Sequence, residues 1–225
     1  MLILAIDTSW KRGSLALVRG DARTFELLET VSLTGGAFSA ELVPQIASVL
    51  ARRNLRRQEI DGFAAVSGPG SFTGLRVGLA AIKGLVEVLK KPIATVSVLE
   101  ALAIASGVSG HVFAALDAQR EEVFLGEYDV NPEGLQATPL RPESLLSQEA
   151  ILSALTAQAT IVTPDTAIAT LAAGAALRQI ERPGAELIAR IGIQKILAGQ
   201  SVSADALDAN YVRRSDAEIF SKTGS

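Results

Sequence analysis

Short apolar runs separated by polar turns dominate the first hundred residues of this chain. Leu2–Thr8 is an almost continuous apolar run, which is typical of a central strand buried on both faces. Turn-forming residues separate it from two further candidate strands, Ser14–Val18 and Thr24–Leu33, and the three predict an antiparallel meander. The pattern beyond them predicts a helix at Ser39–Asn54, a strand at Ile60–Ser67, a helix at Phe72–Lys90, a strand at Ile93–Val96 and a helix at Val98–Ala105.

Pro44 lies inside the first predicted helix and leaves two readings open. Either the helix is kinked there, or its regular part begins with Pro44 in the first turn, where the missing N–H group costs nothing. In both readings one face of the helix is apolar, with Leu42, Ile46, Val49 and Leu50.

The second half begins with the same order of features as the first. His111–Ala118 is an apolar run that contains Asp117, and a polar turn at Gln119–Glu122 separates it from a further strand at Val123–Tyr128. The first half has an apolar strand, Asp7, a polar turn and a second strand in that order. Because this shared order of features occurs only once, an internal duplication and a coincidence are equally open. We expect an N-terminal lobe over residues 1–105 and a smaller C-terminal lobe over 106–225, whose last residues either pack back or are disordered.

Two further segments of the second half carry helical or buried patterns. Ala150–Leu177 holds one charged residue, Asp165, and predicts an interior strand plus a helix. Arg190–Gly199 is a helical candidate.

Composition and charge exclude several classes of protein. The 225 residues are 48% hydrophobic and 20% charged, so the chain can bury enough surface to fold. No run approaches the ~20 apolar residues of a membrane span, and Met1–Ile6 has no basic region before it, so we expect a soluble, cytoplasmic protein without a secretory signal. With no cysteine and only His111, thiolate catalysis and any site that needs two imidazoles are excluded. We therefore expect no metal site in this chain.

The most distinctive local feature is the Gly-rich turn between a predicted strand and a predicted helix, Ser67-Gly68-Pro69-Gly70-Ser71-Phe72-Thr73-Gly74-Leu75-Arg76. It is not a Walker A loop, because no Gly-Lys-Ser/Thr follows, and its third glycine is one residue late for the dinucleotide fingerprint. A helix start offers unpaired N–H groups to an anion. Two interpretations stay open: the turn binds an anion, or it is a tight corner that binds nothing. The candidates for anion or nucleotide binding are Gly68, Gly70, Ser71, Thr73 and Gly74.

Asp7-Thr8-Ser9, at the end of the first strand, is the second candidate. A carboxylate beside two hydroxyl groups could hold a magnesium–phosphate unit. The commoner alternative is a turn-forming Asp and Ser that bond to the nearby backbone.

Two features indicate partners. The helix Phe72–Lys90 has one narrow polar stripe, with Arg76 and Lys83, and a groove of small residues on the opposite side, so it is either a central helix covered by its own chain or a helix shared with another protein. Arg52, Arg53, Arg56 and Arg57 form a local basic cluster in a chain of net charge −3. They are either the solvated end of a helix or an RNA contact.

Several of these segments together resemble the bacterial TsaB (YeaZ) family. The resemblance lies in Ile3-Leu4-Ala5-Ile6-Asp7-Thr8-Ser9, in the string Gly68–Arg76, in Ala114-Ala115-Leu116-Asp117-Ala118, and in Tyr211-Val212-Arg213 near the C-terminus. It is dense over residues 1–105 and mostly positional after about residue 130. The chain departs from the family at Phe38, where a histidine is common, and at Gln119, where an arginine often follows Asp-Ala.

The resemblance implies an α/β fold of two ribonuclease H-like lobes, the actin-like/Hsp70-like ATPase (ASKHA) fold, with mixed sheets flanked by helices. It implies a non-catalytic subunit that helps to form N6-threonylcarbamoyladenosine beside the tRNA anticodon. The partners would be TsaD, TsaE and tRNA through the complex, with ATP and a metal in the partner subunits and no firmly bound cofactor here. When alone the chain would form a homodimer. The interface candidates are Leu42, Ile46, Val49, Leu50, Arg76, Gly78, Ala81, Ile82 and Leu85.

Two other hypotheses compete with this one. An independent actin-fold ATPase or phosphotransferase would use Asp7 and the turn Gly68–Gly74. A metallopeptidase is disfavoured because the chain has a single histidine.

Overall fold

In the computed structural model, the chain forms two five-stranded mixed sheets flanked by helices, described over residues 1–133, 136–154, 160–172, 176–210 and 212, with the side chains of 152–154 excepted. The elements of the first half are β1 (Leu2–Asp7), β2 (Arg12–Gly20), β3 (Phe25–Thr34), α1 (Phe38–Arg52), β4 (Gly62–Gly68), α2 (Phe72–Leu89), β5 (Ile93–Ser97) and α3 (Val98–Ala105), with a short 3-10 helix at Arg57–Glu59. Those of the second half are β6 (Gly110–Gln119), β7 (Glu122–Val130), β8 (Ala137–Ser147), α4 (Gln148–Ala154), β9 (Thr160–Thr163), α5 (Thr166–Leu171), β10 (Ala176–Gln179) and α6 (Ala185–Leu197).

The two sheets have the same topology. The first has the order β3-β2-β1-β4-β5, and the second has the order β10-β9-β6-β7-β8, which is the same order read from the other edge. In each sheet the first three strands form an antiparallel meander and the fourth pairs in parallel with the first. A helix follows the third, fourth and fifth strand of each set. The duplication that Asp7 and Asp117 suggest is therefore present in the fold.

The chain divides into two compact units that differ from the expected lobes. The first unit comprises residues 1–101 and 183–209, and the second comprises 102–182 and 210–225. The expected division at residue 105 is displaced into α3, and a segment expected in the C-terminal lobe belongs to the first unit. The reason is that α6 packs against β1, β2, β4 and β5.

The sheet of the first unit is covered on both faces. A Cβ atom added to Gly62 would lie 3.0 Å from side-chain carbons of both Ile3 and Ile196, which places α6 on the face of Ile3. A Cβ atom added to Gly78 of α2 would lie 3.3 Å from Ile6. Side chains of one strand alternate between faces, so α2 and α6 cover opposite faces. This explains why every residue of β1 is buried.

The predicted elements of the first half are confirmed within two residues at most ends, and one of the Pro44 readings is wrong. The helix begins at Phe38, and Pro44 lies inside it and not at its start. In the second half, the expected strand plus helix over Ala150–Leu177 is too simple, because the segment holds most of α4, then β9, α5 and the exposed start of β10. The strand β8 lies at a sheet edge, where its Pro139 and Pro142 are tolerated.

Candidate functional site

The Gly-rich turn between β4 and α2 is joined to the end of β1. The backbone N–H of Ser71 donates to the carbonyl oxygen of Ser9 at 2.7 Å, and the hydroxyl of Thr8 donates to the carbonyl oxygen of Gly74 at 2.8 Å. Ser71 is the N-cap of α2, since its Oγ accepts the N–H of Gly74 at 3.2 Å. These bonds fix the start of α2 against the first strand.

The three glycines spaced four residues apart in this segment are required by that contact. A Cβ atom at Gly70 would lie 2.3 Å from the carbonyl oxygen of Ser9, and one at Gly74 would lie 2.1 Å from the carbonyl oxygen of Thr8. At Gly78 it would lie 2.2 Å from the hydroxyl oxygen of Thr8. All three distances are far below van der Waals contact, so the turn and the first part of α2 reach the strand end only because these three residues lack side chains.

Asp7 acts in the structure as a turn-forming carboxylate. It is buried, and its Oδ1 accepts the backbone N–H of Ser9 at 2.8 Å. Asp117 does the same in the second unit, where its Oδ1 accepts the N–H of Gln119 at 2.8 Å. The two acidic residues that open the repeated hairpins therefore have the same local role. Ser9 is fully buried, and its Oγ has no hydrogen-bond partner among the described residues.

The candidate anion site is thus largely used for internal packing. Asp7, Thr8, Ser9, Gly68 and Gly74 are buried, and only Gly70, Ser71 and Thr73 of the candidate set are at least partly exposed. Within the described ranges no group of three or more His, Asp or Glu side chains could hold a metal ion. The binding of a nucleotide or another anion at this turn stays a prediction.

The proposed interface residues need correction because most of them face the interior of their own unit. Leu42, Ile46, Val49 and Leu50 of α1 are buried, and so are Gly78 and Ile82 of α2. Ala81 and Leu85 are half-buried, and Arg76 is exposed. The sequence pattern correctly located an apolar face on each helix, and the six buried residues of these faces pack inside the first unit.

Both helices also carry a second apolar face, which is exposed. On α1 it consists of Ala40, Val43, Pro44, Ala47 and Ala51, and on α2 of Ala80, Gly84 and Val88, with half-buried Val77 and Ala81 beside them. Val43 is 59% exposed and Val88 is 71% exposed. α1 packs against α2. We call this set the outer helix face. Sequence reasoning missed it, although the small apolar residues at a spacing of three and four on the far side of α1 were a usable signal.

The four arginines of the basic cluster lie at and after the C-terminal end of α1. Arg52 and Arg53 both bond to Glu29 on β3, and Arg56 bonds to Glu59. The hydrogen bonds from Arg52 and Arg53 and their positive charges lower the pKa of Glu29 below its usual value. Contact of the cluster with tRNA is not tested by this geometry and stays a prediction.

The family resemblance also draws attention to Phe38, to Gln119 and to the C-terminal element around Tyr211. Phe38 is buried at the start of α1, where its ring lies beside Gly13, so an apolar residue is accommodated there. Gln119 begins the tight turn between β6 and β7 with a φ of 62°. Tyr211 and Arg213, which carry the C-terminal resemblance, lie outside the described residues, as does Arg214.

Comparison with known proteins identifies the family. The model of the family described as TsaD, tRNA N6-adenosine threonylcarbamoyltransferase, matches residues 32–189. The chain belongs to this family. Among curated relatives, the tRNA threonylcarbamoyladenosine biosynthesis protein TsaB of Bacillus subtilis is 35% identical over 130 residues, which are 57% of this chain and 55% of that protein. TsaB of Escherichia coli is 31% identical over 142 residues, which are 60% of this chain and 58% of that protein.

These relatives confirm the resemblance to TsaB proteins. The chain spans a little more than half the length of the two curated TsaB proteins it matches. Its fold matches the solved structure of YeaZ from Pseudomonas aeruginosa with a TM-score of 0.76 and 24% identity, over 93% of this chain and 100% of that chain. The expected α/β fold with two mixed sheets is confirmed. No helix in the described part of the chain is both long and apolar enough to cross a membrane.

Proposed function

We propose that this chain is a non-catalytic subunit required to form N6-threonylcarbamoyladenosine beside the anticodon of tRNA, working in the cytoplasm with TsaD and TsaE. The observation that carries the proposal is the family match over residues 32–189, together with relatives that are named as tRNA threonylcarbamoyladenosine biosynthesis proteins. ATP and the metal belong to the partner subunits in this proposal, and this chain holds no cofactor firmly.

The chemistry of the side chains supports a role without catalysis. The chain has one histidine and no cysteine, so it lacks the paired imidazoles or thiolates with which proteins bind catalytic transition metals. The buried carboxylate at the end of β1, Asp7, is engaged in its own turn. Two glycines of the Gly-rich turn, Gly70 and Gly74, lie against Ser9 and Thr8 directly after β1.

The outer helix face supports a role as a binding partner. It consists of exposed valine, alanine, proline and glycine residues on two helices that pack against each other, and small residues allow a second pair of helices to approach closely. We propose that TsaD covers this face and that the free chain forms a homodimer through the same face, an arrangement in which each copy contributes the same residues.

The test is reconstitution of tRNA modification with the TsaD and TsaE proteins of the same organism. We expect the three proteins, supplied with ATP and an activated threonylcarbamoyl donor, to modify tRNA, and we expect modification to stop when this chain is omitted. The chain alone should neither modify tRNA nor hydrolyse ATP. Modification that proceeds equally well without the chain would contradict the proposal. ATP turnover by the chain alone, lost in an Asp7→Ala variant, would favour the independent phosphotransferase instead.

A further inference from the structure

The basic cluster has a rigid backbone. α1 ends in a Schellman motif, in which the N–H of Leu55 donates to the carbonyl of Leu50 at 2.9 Å and Asn54 adopts a φ of 53°. The 3-10 helix follows at once, and Glu59 accepts the N–H of Arg56 at 2.8 Å. Both turns are closed by internal hydrogen bonds, so the backbone that carries the four arginines has a defined conformation.

The first two arginines are held by one carboxylate. Arg52 Nε donates to Glu29 Oε1 at 2.7 Å, and Arg53 Nε donates to Glu29 Oε2 at 2.9 Å. Each arginine side chain nevertheless remains nearly half exposed. One glutamate therefore orders two guanidinium groups at the surface and neutralises half of their charge.

The last two arginines are more available. The guanidinium group of Arg56 donates from Nε to Glu59 at 3.2 Å, and the side chain is 82% exposed. Arg57 is exposed and has no ion pair with any residue that the structure describes. Four arginines against two glutamates leave an excess of two positive charges, whereas the chain as a whole carries a net charge of −3.

We propose that this arginine cluster contacts the phosphate backbone of tRNA in the assembled complex, and that Glu29 limits the contact by occupying Arg52 and Arg53. The inference rests on the proposed function, since that function makes tRNA the substrate of the complex. Planar guanidinium groups suit phosphate oxygens, which they bind through two parallel N–H groups. Glu29 competes with phosphate for the same groups.

The location of the cluster favours tRNA binding by the assembled complex over tRNA binding by the free chain. Ala51 of the outer helix face directly precedes Arg52, so a partner on that face would place the arginines at the rim of the joint. Charge attraction reaches only about 8–10 Å at physiological salt, so a chain of net negative charge attracts RNA only where positive charge is local. The free chain should therefore bind tRNA weakly, and the complex should use the cluster.

The experiment measures the affinity of the reconstituted complex for tRNA as a function of salt concentration, for three variants of this chain. In Arg56→Ala/Arg57→Ala two phosphate contacts are lost, so we expect weaker binding and a salt-dependence slope that falls by about two. In Glu29→Gln we expect tighter binding and a slope that steepens by about one to two, because Arg52 and Arg53 become available. The control Arg23→Ala/Arg178→Ala removes two exposed arginines elsewhere and should change little.

Complex formation and tRNA modification by the wild-type proteins are measured alongside. If the wild-type complex forms and modifies tRNA but the Arg56/Arg57 variant binds tRNA with unchanged affinity and slope, the inference is wrong and the proposed function stands. Equal losses in the Arg56/Arg57 variant and the control would also overturn it, because the effect would then be one of net charge. Unchanged or weaker binding by a folded Glu29→Gln complex would remove the role of Glu29. If no complex forms, the proposed function and the inference fail together.

Discussion

At the scale of single residues, glycine is the functional choice on the inner side of α2. Gly70 lies just before α2, Gly74 and Gly78 lie one turn apart within it, and a side chain at any of the three would overlap Thr8 or Ser9. Gly84 lies on the same helix, with nothing within 4 Å of an added Cβ atom. The sequence shows four similar glycines, and the structure separates three that are needed for packing from one that is free.

This difference predicts opposite effects of the same substitution. Gly74→Ala should lower the free energy of unfolding by roughly 1–3 kcal/mol, because the new methyl group would lie 2.1 Å from the carbonyl oxygen of Thr8. Gly84→Ala should raise it by up to about 1 kcal/mol through higher helix propensity. Urea unfolding of the purified variants measures both. Equal effects of the two substitutions would contradict the assigned packing.

Glu29 is the second residue whose environment has a measurable consequence. Its pKa is lowered in the folded state by hydrogen bonds from Arg52 and Arg53, so its contribution to stability is present above the ordinary pKa of a glutamate, about 4.3, and is lost as the pH falls through the lowered value. Glu29→Gln should therefore be less stable than wild type at pH 7, by about 1 kcal/mol or less as for other exposed ion pairs. The difference should shrink as the pH falls below the ordinary pKa of a glutamate and through the lowered value. A difference that grows on acidification would show that the carboxylate is not held by the arginines.

At the scale of elements, α1 and α2 each have two apolar faces that differ in burial. The inner face of α1, with Ile46 only 5% exposed, packs within the first unit. The outer helix face is exposed, and we propose that a partner covers it. A sequence alone shows that both faces are apolar, but the larger side chains on the inner face, mostly leucine, isoleucine and valine, are the ones a core requires.

The two faces predict different outcomes for a buried charge. Ala47→Arg and Gly84→Arg place a charge on the outer helix face, so they should abolish the homodimer and the complex with TsaD while the circular dichroism spectrum stays that of the wild type. Ile46→Asp places a charge in the core, so it should unfold the chain or destabilise it by several kcal/mol. Size-exclusion chromatography with light scattering, alone and with TsaD, measures assembly. If both arginine variants stay folded and still assemble, the partner surface lies elsewhere.

At the scale of the whole molecule, the first unit is completed by a segment from the far end of the chain. α6 follows the strands of the second unit in sequence, yet it covers the face of the first sheet that carries Ile3. Gly192 allows the close approach, since a Cβ atom there would lie 2.5 Å from the Cβ atom of Ala64. Lys195 of α6 adds two hydrogen bonds within the first unit, since its Nζ donates to Glu100 at 2.7 Å and to the carbonyl oxygen of Thr95 at 3.0 Å.

The first unit should therefore be sensitive to bulk on α6. Gly192→Val should lower its free energy of unfolding by roughly 1–3 kcal/mol, because the helix must move away from the sheet. Ala198→Val adds similar bulk at the exposed end of the same helix and should have little effect. Trp10, the only tryptophan, lies in the first unit and reports its unfolding by fluorescence. A Gly192→Val variant as stable as wild type would contradict the packing of α6 on this sheet.

The sequence by itself determined the alternation of strands and helices, the Gly-rich turn, the two repeated acidic hairpins and the family. These features are local, because a hydrophobic period of two or 3.6 residues and a turn-forming residue can both be recognised within a short stretch of sequence. Only the tertiary structure decided which apolar face of α1 and α2 is buried, that three glycines serve contact with Thr8 and Ser9, and that α6 returns to the first sheet. Each of these depends on which distant segment packs against an element, and local patterns state that a face is apolar without stating what covers it.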